Sequence, residues 1–304
     1  MNNLGYCCIN MTLAEKKITT NRGMVKKTFL EKGINYASEL SLLNVIDLKK
    51  IIEWNYENEI FLYRMSSDIF PWCSEYELKD LPDYKKISEV LLDCGILAKE
   101  KGIRLTFHPS PYCVIASERQ DVVQKSIKEL RQHAEIMDLM GLDSSHFYPI
   151  NIHINTSKPS KDEAAKRFCE SYSILPDNVK NRLVVEVDDK KSQFTSVDLY
   201  NMVHLKVGIP ITFDYLHNEC NPPELNEEES LKLCLSSWPK GIPAITHYSD
   251  SKKLYEDSSS KDVAHSDWIW KGPETYGLDF SIELEVKMKE LALLKYRNSL
   301  LISV

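Results

Sequence analysis

Eight short apolar runs rich in β-branched residues, separated by amphipathic stretches, constrain this chain more than any other feature. They are LGYCCIN (4–10), EIFLYRMSS (59–67), IRLTFHPS (103–110), YPINIHIN (148–155), NRLVVEVDD (181–189), IPITFDYLH (209–217), IPAITHYS (242–249) and LDFSIELEV (278–286). Runs that are apolar on both faces belong to a parallel sheet whose outer face is covered by helices. The intervening stretches carry helical spacing, as in 47–58, where Leu48, Ile51, Ile52 and Trp54 alternate with charges. The spacing predicts helices over 84–101, 119–140, 160–172, 195–207 and 226–235, with a Lys-rich helix from Lys287 to finish the chain. Gly102, Gly141 and Gly208 follow three of these as stop signals. Ser160 and Glu163 have the spacing of a capping box. The polar stretch 250–262 reads as a surface loop.

A doubly wound open sheet shares this alternation, but a count of eight strands favours a closed (β/α)8 TIM barrel. The length of 304 residues suits that fold as one domain over 1–304. At 43% hydrophobic and 27% charged, the chain can bury a large core. There is no apolar run long enough to span a membrane, and the start, MNNLGYCCINM, has no secretory pattern. Eight scattered cysteines without a CxxC pair are expected to be reduced thiols of an intracellular protein, with Cys7 and Cys8 packed in a strand. The net charge of −7 argues against binding polyanions by bulk charge. It leaves nucleic acid open, because bound divalent cations reverse the sign of an acidic cleft.

The polar residues of the runs fall at their C-terminal ends. His108, His153, Glu186, Asp214, His217, His247 and Glu285 come from six consecutive strands. A barrel builds its active site from those strand ends, so seven side chains able to bind metal should converge on one rim. Glu186 lies inside a run expected to be buried, where an unpaired carboxylate is costly and a cation compensates it. Imidazoles mixed with carboxylates do not resemble a closed thiolate-rich structural zinc site. They fit a catalytic cluster of more than one metal, able either to activate water against a phosphodiester or to polarise a sugar carbonyl. His133 and His204 fall in helices and His146 in a loop, so these three read as structural or solvated. His265 is ambiguous on position alone.

The chain resembles the UV damage endonucleases, barrel enzymes similar in their metal site to endonuclease IV. The segments that carry the likeness are LGYC (4–7), LYRMSS (62–67) with IFP (69–71), FHPS (107–110), INIHIN (150–155), VVEVDD (184–189), TFDYLH (212–217), THYSD (246–250), AHSDWI (264–269) and LEVKMKELAL (284–293). The resemblance implies nicking of damaged double-stranded DNA on the 5′ side of a lesion, leaving a 3′-hydroxyl. The lesions would be cyclobutane dimers, 6-4 photoproducts and, in some members, abasic sites. It implies two to three divalent ions, manganese first, with magnesium or zinc as alternatives. His108, His153 and Glu186 would bind one ion. Glu186, Asp214, His247 and Glu285 would bind a second, with Glu186 bridging, and His217 and His265 would help bind a third. Glu186, His247 and Glu285 would be the catalytic set. Tyr6 and Tyr112 match aromatic positions near the family's lesion-probing groove, a tyrosine packed on the barrel rim being the alternative for Tyr112. Asn10 is a further expected DNA contact, and Arg64, at the end of strand two, is expected either to contact DNA or to form a structural salt bridge.

Two positions depart from the family pattern. Pro111 stands where a glutamine is common, and Ile245 where a lysine is common two residues before the strand-seven histidine. These bear on damage preference and metal tuning, and neither removes a ligand. The expected protein is a monomer. A metal-dependent sugar isomerase or epimerase, and a non-catalytic damage-binding module, are the competing readings.

Overall fold

In the computed structural model, which describes residues 3–302, the eight runs form strands β1 (Asn3–Cys7), β2 (Leu62–Met65), β3 (Arg104–Phe107), β4 (Ile150–Ile152), β5 (Leu183–Glu186), β6 (Ile211–Asp214), β7 (Ile245–Tyr248) and β8 (Ser281–Leu284). Residues 1–2 and 303–304 of the expected 1–304 domain lie outside the described residues. All eight neighbouring pairs are parallel, and β8 returns to β1, so the sheet closes into a barrel. The open doubly wound sheet is excluded by that closure.

The strands are shorter than the apolar runs that announce them. Only the middle of each run pairs with both neighbours. Its last residues continue past the ladder onto the rim, where tilted strands diverge. His108, His153 and Glu285 therefore lie one residue past their strands, while Glu186 and Asp214 are the last paired residues of theirs.

The outer ring contains the expected helices, with some changes of extent. The helix foreseen over 47–58 runs from Lys26 to Glu57, interrupted at Gly33, whose φ of 65° is left-handed. Tyr84–Glu100 buries Ile87, Leu91, Cys94 and Ala98 along one face. Each large apolar side chain so buried contributes about 1.5–3 kcal/mol. Gly95 of this helix lets the backbone at Met140 approach so closely that a Cβ would lie 1.7 Å from its carbonyl oxygen. Gly102 follows the helix with φ +66°, which any β-carbon would strain. The helix expected over 195–207 is divided by a wider π turn at Tyr200–His204. Asn226 caps the helix Glu227–Ser236 in a reciprocal capping box with Glu229. At Ser160 only the forward half of the box forms, the hydroxyl accepting from the amide of Glu163. The stretch 250–262 contains one short helix, Lys252–Tyr255. Among the described residues, no helix is long and apolar enough to cross a membrane.

Period-two alternation along the strands divides them into two faces. Outward residues such as Leu105, Phe107, Ile282 and Leu284 are buried in the core. Thr106, Arg64, His247 and Glu283 instead meet one another inside the barrel.

Candidate metal centre

Glu186 is the last residue of β5 and is fully buried. Four imidazoles surround its carboxylate. His108 Nε2 lies 3.1 Å and His153 Nε2 3.4 Å from Oε2, while His247 Nδ1 lies 3.0 Å and His217 Nδ1 3.3 Å from Oε1. The Asn151 amide also donates to Oε2. His247 Nδ1 is in turn 3.4 Å from Glu285. Three sets of donor atoms thus share Glu186: His108 with His153, His247 with Glu285, and Asp214 with His217.

Local structure sets these positions. The Ser67 hydroxyl donates to the His108 carbonyl over 2.5 Å, so the RMSS segment that runs on from β2 fixes the backbone after β3. Asp214 ends β6 and caps the short helix Tyr215–Cys220 by accepting from the His217 amide at 2.7 Å. His217 therefore sits in the first turn of that helix, where the sequence placed it at the strand end. His265 stands further out. Its Nε2 is 3.7 Å from Glu285, and its Nδ1 is 2.7 Å from the Ser249 hydroxyl.

The electrostatics are those of carboxylates and imidazoles crowded into one buried space. Burial raises Asp214 above the usual carboxylate range, and the negative charges of Glu186 and Glu285 add to that, against the pull of His217. Burial opposes the ionised form of Glu186 as well, yet His247, His153 and His108 hold its carboxyl well below the ordinary value. The imidazoles respond in kind. Against burial, Glu186 and Asp188 raise His153 to about 9, and Glu186 with Glu283 raises His247 to about 10. Glu186 Oε1, Asp214 Oδ2 and His247 Nδ1 are buried without a hydrogen-bond partner. Glu186 Oε1 and His247 Nδ1 face one another at 3.0 Å without the angle of a good hydrogen bond, and Asp214 Oδ2 is left without a partner, so a divalent cation among them would satisfy all three. The set is nitrogen and oxygen without thiolate, as Mn²⁺, Mg²⁺ or Zn²⁺ accept.

The structure also brings in groups that the strand-end reading missed. Glu283, in β8, is 1% exposed and lies 3.3 Å from His247 Nε2. Asp188 lies 3.1 Å from His153 Nδ1, an ion-pair contact without the angle of a good hydrogen bond. Both stand two residues from a candidate ligand on the same strand face, Glu283 before Glu285 and Asp188 after Glu186. The alternation already contained that signal.

Three of the four expected DNA contacts are placed elsewhere. Tyr6 faces out of the barrel and is fully buried, its hydroxyl donating to Asn55 and accepting from Asn10. Asn10 is buried and caps the helix Met11–Ala14. Arg64 is buried against Glu283 and Glu285. A strand end names a residue's height in the barrel, but alternation and covering elements decide whether its side chain meets solvent. Tyr112 differs, being 84% exposed beside a cavity of about 500 Å³ that Trp72, Phe70 and Ser67 also line. Of the other histidines, His133 packs edge-on against Phe107, His204 pairs with the Ile209 carbonyl, and burial lowers His146 to about 4.

The family described as UV-endonuclease UvdE matches residues 2–302. The chain belongs to that family. It is 31% identical over 302 residues to a protein of Clostridium perfringens (strain 13 / Type A) named "UV DNA damage endonuclease", covering 98% of this chain and 70% of that one. It is 32% identical to the "UV-damage endonuclease" of Schizosaccharomyces pombe (strain 972 / ATCC 24843), covering 94% of this chain but only 48% of that relative. The crystal structure of SacUVDE superposes on the chain with a TM-score of 0.83 at 31% identity, over 97% of this chain and 96% of the other. Endonuclease IV from Thermus thermophilus has a TM-score of 0.55 at 12% identity, over 84% and 95% of the two chains, a likeness of fold alone.

Proposed function

We propose that this chain is a DNA repair endonuclease that nicks duplex DNA on the 5′ side of UV lesions, cyclobutane dimers and 6-4 photoproducts first, with abasic sites as further substrates. The observation that carries the reading is the convergence of three metal-capable sets on Glu186, in a chain of the UV-endonuclease family. We further propose two to three ions per chain, manganese first with magnesium or zinc as alternatives, in an intracellular monomer made of one domain over 1–304.

Bound divalent ions would supply an activated water and neutralise charge on the scissile phosphate. His108 and His153 would hold one ion with Glu186. Asp214, His247 and Glu285 would hold a second with the same carboxylate, and His217 and His265 would complete a third place at the outer edge. Glu186, His247 and Glu285 would form the catalytic set, because their donor atoms lie together in one metal-capable group. Glu186 and His247 are buried, which keeps bulk water from competing for their donor atoms. Arg64 keeps Glu285 ionised from behind. Tyr112 projects beyond His108 with its ring free to stack on a base exposed by helix distortion.

Incubation with supercoiled plasmid, irradiated or not, in the presence of manganese tests this reading. Nicking confined to the irradiated plasmid supports it. Binding without nicking would support the damage-binding module, and turnover of a ketose without nicking would support the epimerase.

A further inference from the structure

His247 is 1% exposed, so its ring orientation is set by protein atoms on both sides. On the inner side, Nδ1 stands 3.0 Å from Glu186 and 3.4 Å from Glu285. On the outer side, Nε2 stands 3.3 Å from Glu283 Oε2. Glu283 is itself anchored: its Oε2 accepts from Arg64 Nε at 2.8 Å, and its Oε1 accepts from the Thr106 hydroxyl at 2.5 Å. The carboxylate is therefore a fixed post assembled from β2, β3 and β8, facing a ring on β7. Strand register seats it there, because His247 and Glu283 are directly paired across β7 and β8.

We infer that Glu283 is a positioning residue: it holds His247 in the tautomer that carries its proton on Nε2, so that Nδ1 is delivered as the donor between Glu186 and Glu285. The physical basis is general. A ligating imidazole gives its second N–H to an outer acceptor, which fixes the tautomer and the ring plane and strengthens the donor. His153 presents the opposite edge, with Nε2 toward Glu186 and Nδ1 toward Asp188. The two rings then reach Glu186 with opposite tautomers, and only the His247 ring depends on Glu283. This inference rests on the reading of the Glu186 cluster as a metal centre.

Two measurements test it. In the full chain loaded with magnesium, which is diamagnetic, ring ¹⁵N correlation spectra should show the His247 proton on Nε2. A proton on Nδ1 overturns the inference without recourse to any variant. Competition with a chromophoric chelator then reads metal affinity in the wild type, E283Q and E283D. E283Q presents one acceptor oxygen to three donors, and should weaken the ion held by His247 and Glu285 about 10–100-fold. The ion held by His108 and His153 should change little. E283D keeps the charge and should recover part of the loss. Equal weakening of both ions, or none, means that Glu283 only supports the fold. A wild-type chain that binds no ion overturns the metal reading itself, an outcome distinct from bound wild type with unaltered variants.

Discussion

Arg64 Nε lies 2.8 Å from Glu283, and the same guanidinium reaches Glu285 through Nη2, so one buried cation compensates a buried and a partly exposed carboxylate at the floor of the candidate metal centre. Removing one partner of a buried ion pair leaves uncompensated charge, at about 3–5 kcal/mol. Arg64→Ala should therefore lower stability by about that amount in metal-free protein, read by urea unfolding. Added metal should restore part of it, because the ion takes over the charge of Glu285. A loss below about 1 kcal/mol would show that the carboxylates are neutralised some other way.

Glu186 contributes to all three metal-capable sets, whereas His108 contributes to one. Glu186→Gln keeps the side-chain volume and removes the shared anion. It should lose more bound metal than His108→Ala, measured by elemental analysis of protein purified without chelator. Nicking activity should disappear while circular dichroism stays unchanged. Retention of the wild-type ion count would mean that no ion depends on Glu186.

Metal loading should be linked to protons. Folded, metal-free His153 titrates at about 9 and His247 at about 10, both raised by carboxylates against the effect of burial. At neutral pH each ring is protonated and must give up its proton to become a ligand. Raised values mean that protons compete below about pH 9 for His153 and below about pH 10 for His247, and cease to compete above those values. Affinity should therefore rise with pH, by about tenfold per unit for each ion between about pH 6 and 8. Calorimetry in buffers of different ionisation enthalpy reads the released protons directly. An affinity that stays flat across that window would place the metal away from both histidines.

Tyr112 lies between Pro111 and Cys113 on the loop after β3, largely exposed beside the Trp72 cavity. Its loop is held at Ser110, whose amide donates to Glu129 at 2.9 Å, and at the Pro111 carbonyl, which accepts from Asn155 at 3.2 Å. A ring presented on a constrained loop stacks on a base at little entropic cost, worth about 1–3 kcal/mol. Tyr112→Ala should weaken binding to irradiated duplex by that amount, roughly 5- to 150-fold, and binding to intact duplex far less. Metal content should not change. Equal losses on both duplexes would assign the ring to general backbone contact.

The barrel was legible in the sequence because its determinants are local and repeated. Eight short, largely apolar runs alternating with amphipathic stretches are best buried in a parallel sheet covered by helices. The ring of candidate ligands was legible for a related reason: polar residues recur at the ends of buried strands, where they are costly unless they meet a partner. Glu186 could be singled out from its own segment, LVVEVDD.

What the tertiary structure decided was the direction and company of each side chain. Tyr6, Asn10 and Arg64 are expected from the sequence to contact DNA, but alternation turns Tyr6 toward Asn55, a cap engages Asn10, and two glutamates enclose Arg64. Glu283 becomes part of the centre only because the register of β7 and β8 sets it opposite His247. His265 is ambiguous on position alone and is assigned to the third ion only through the family resemblance; the Ser251–His265 bridge is what brings it toward Glu285. Hydrophobic periodicity is written into neighbouring residues, so a sequence displays it. Burial, charge pairing and ring orientation arise between residues far apart in the chain, and exist only once the barrel has closed.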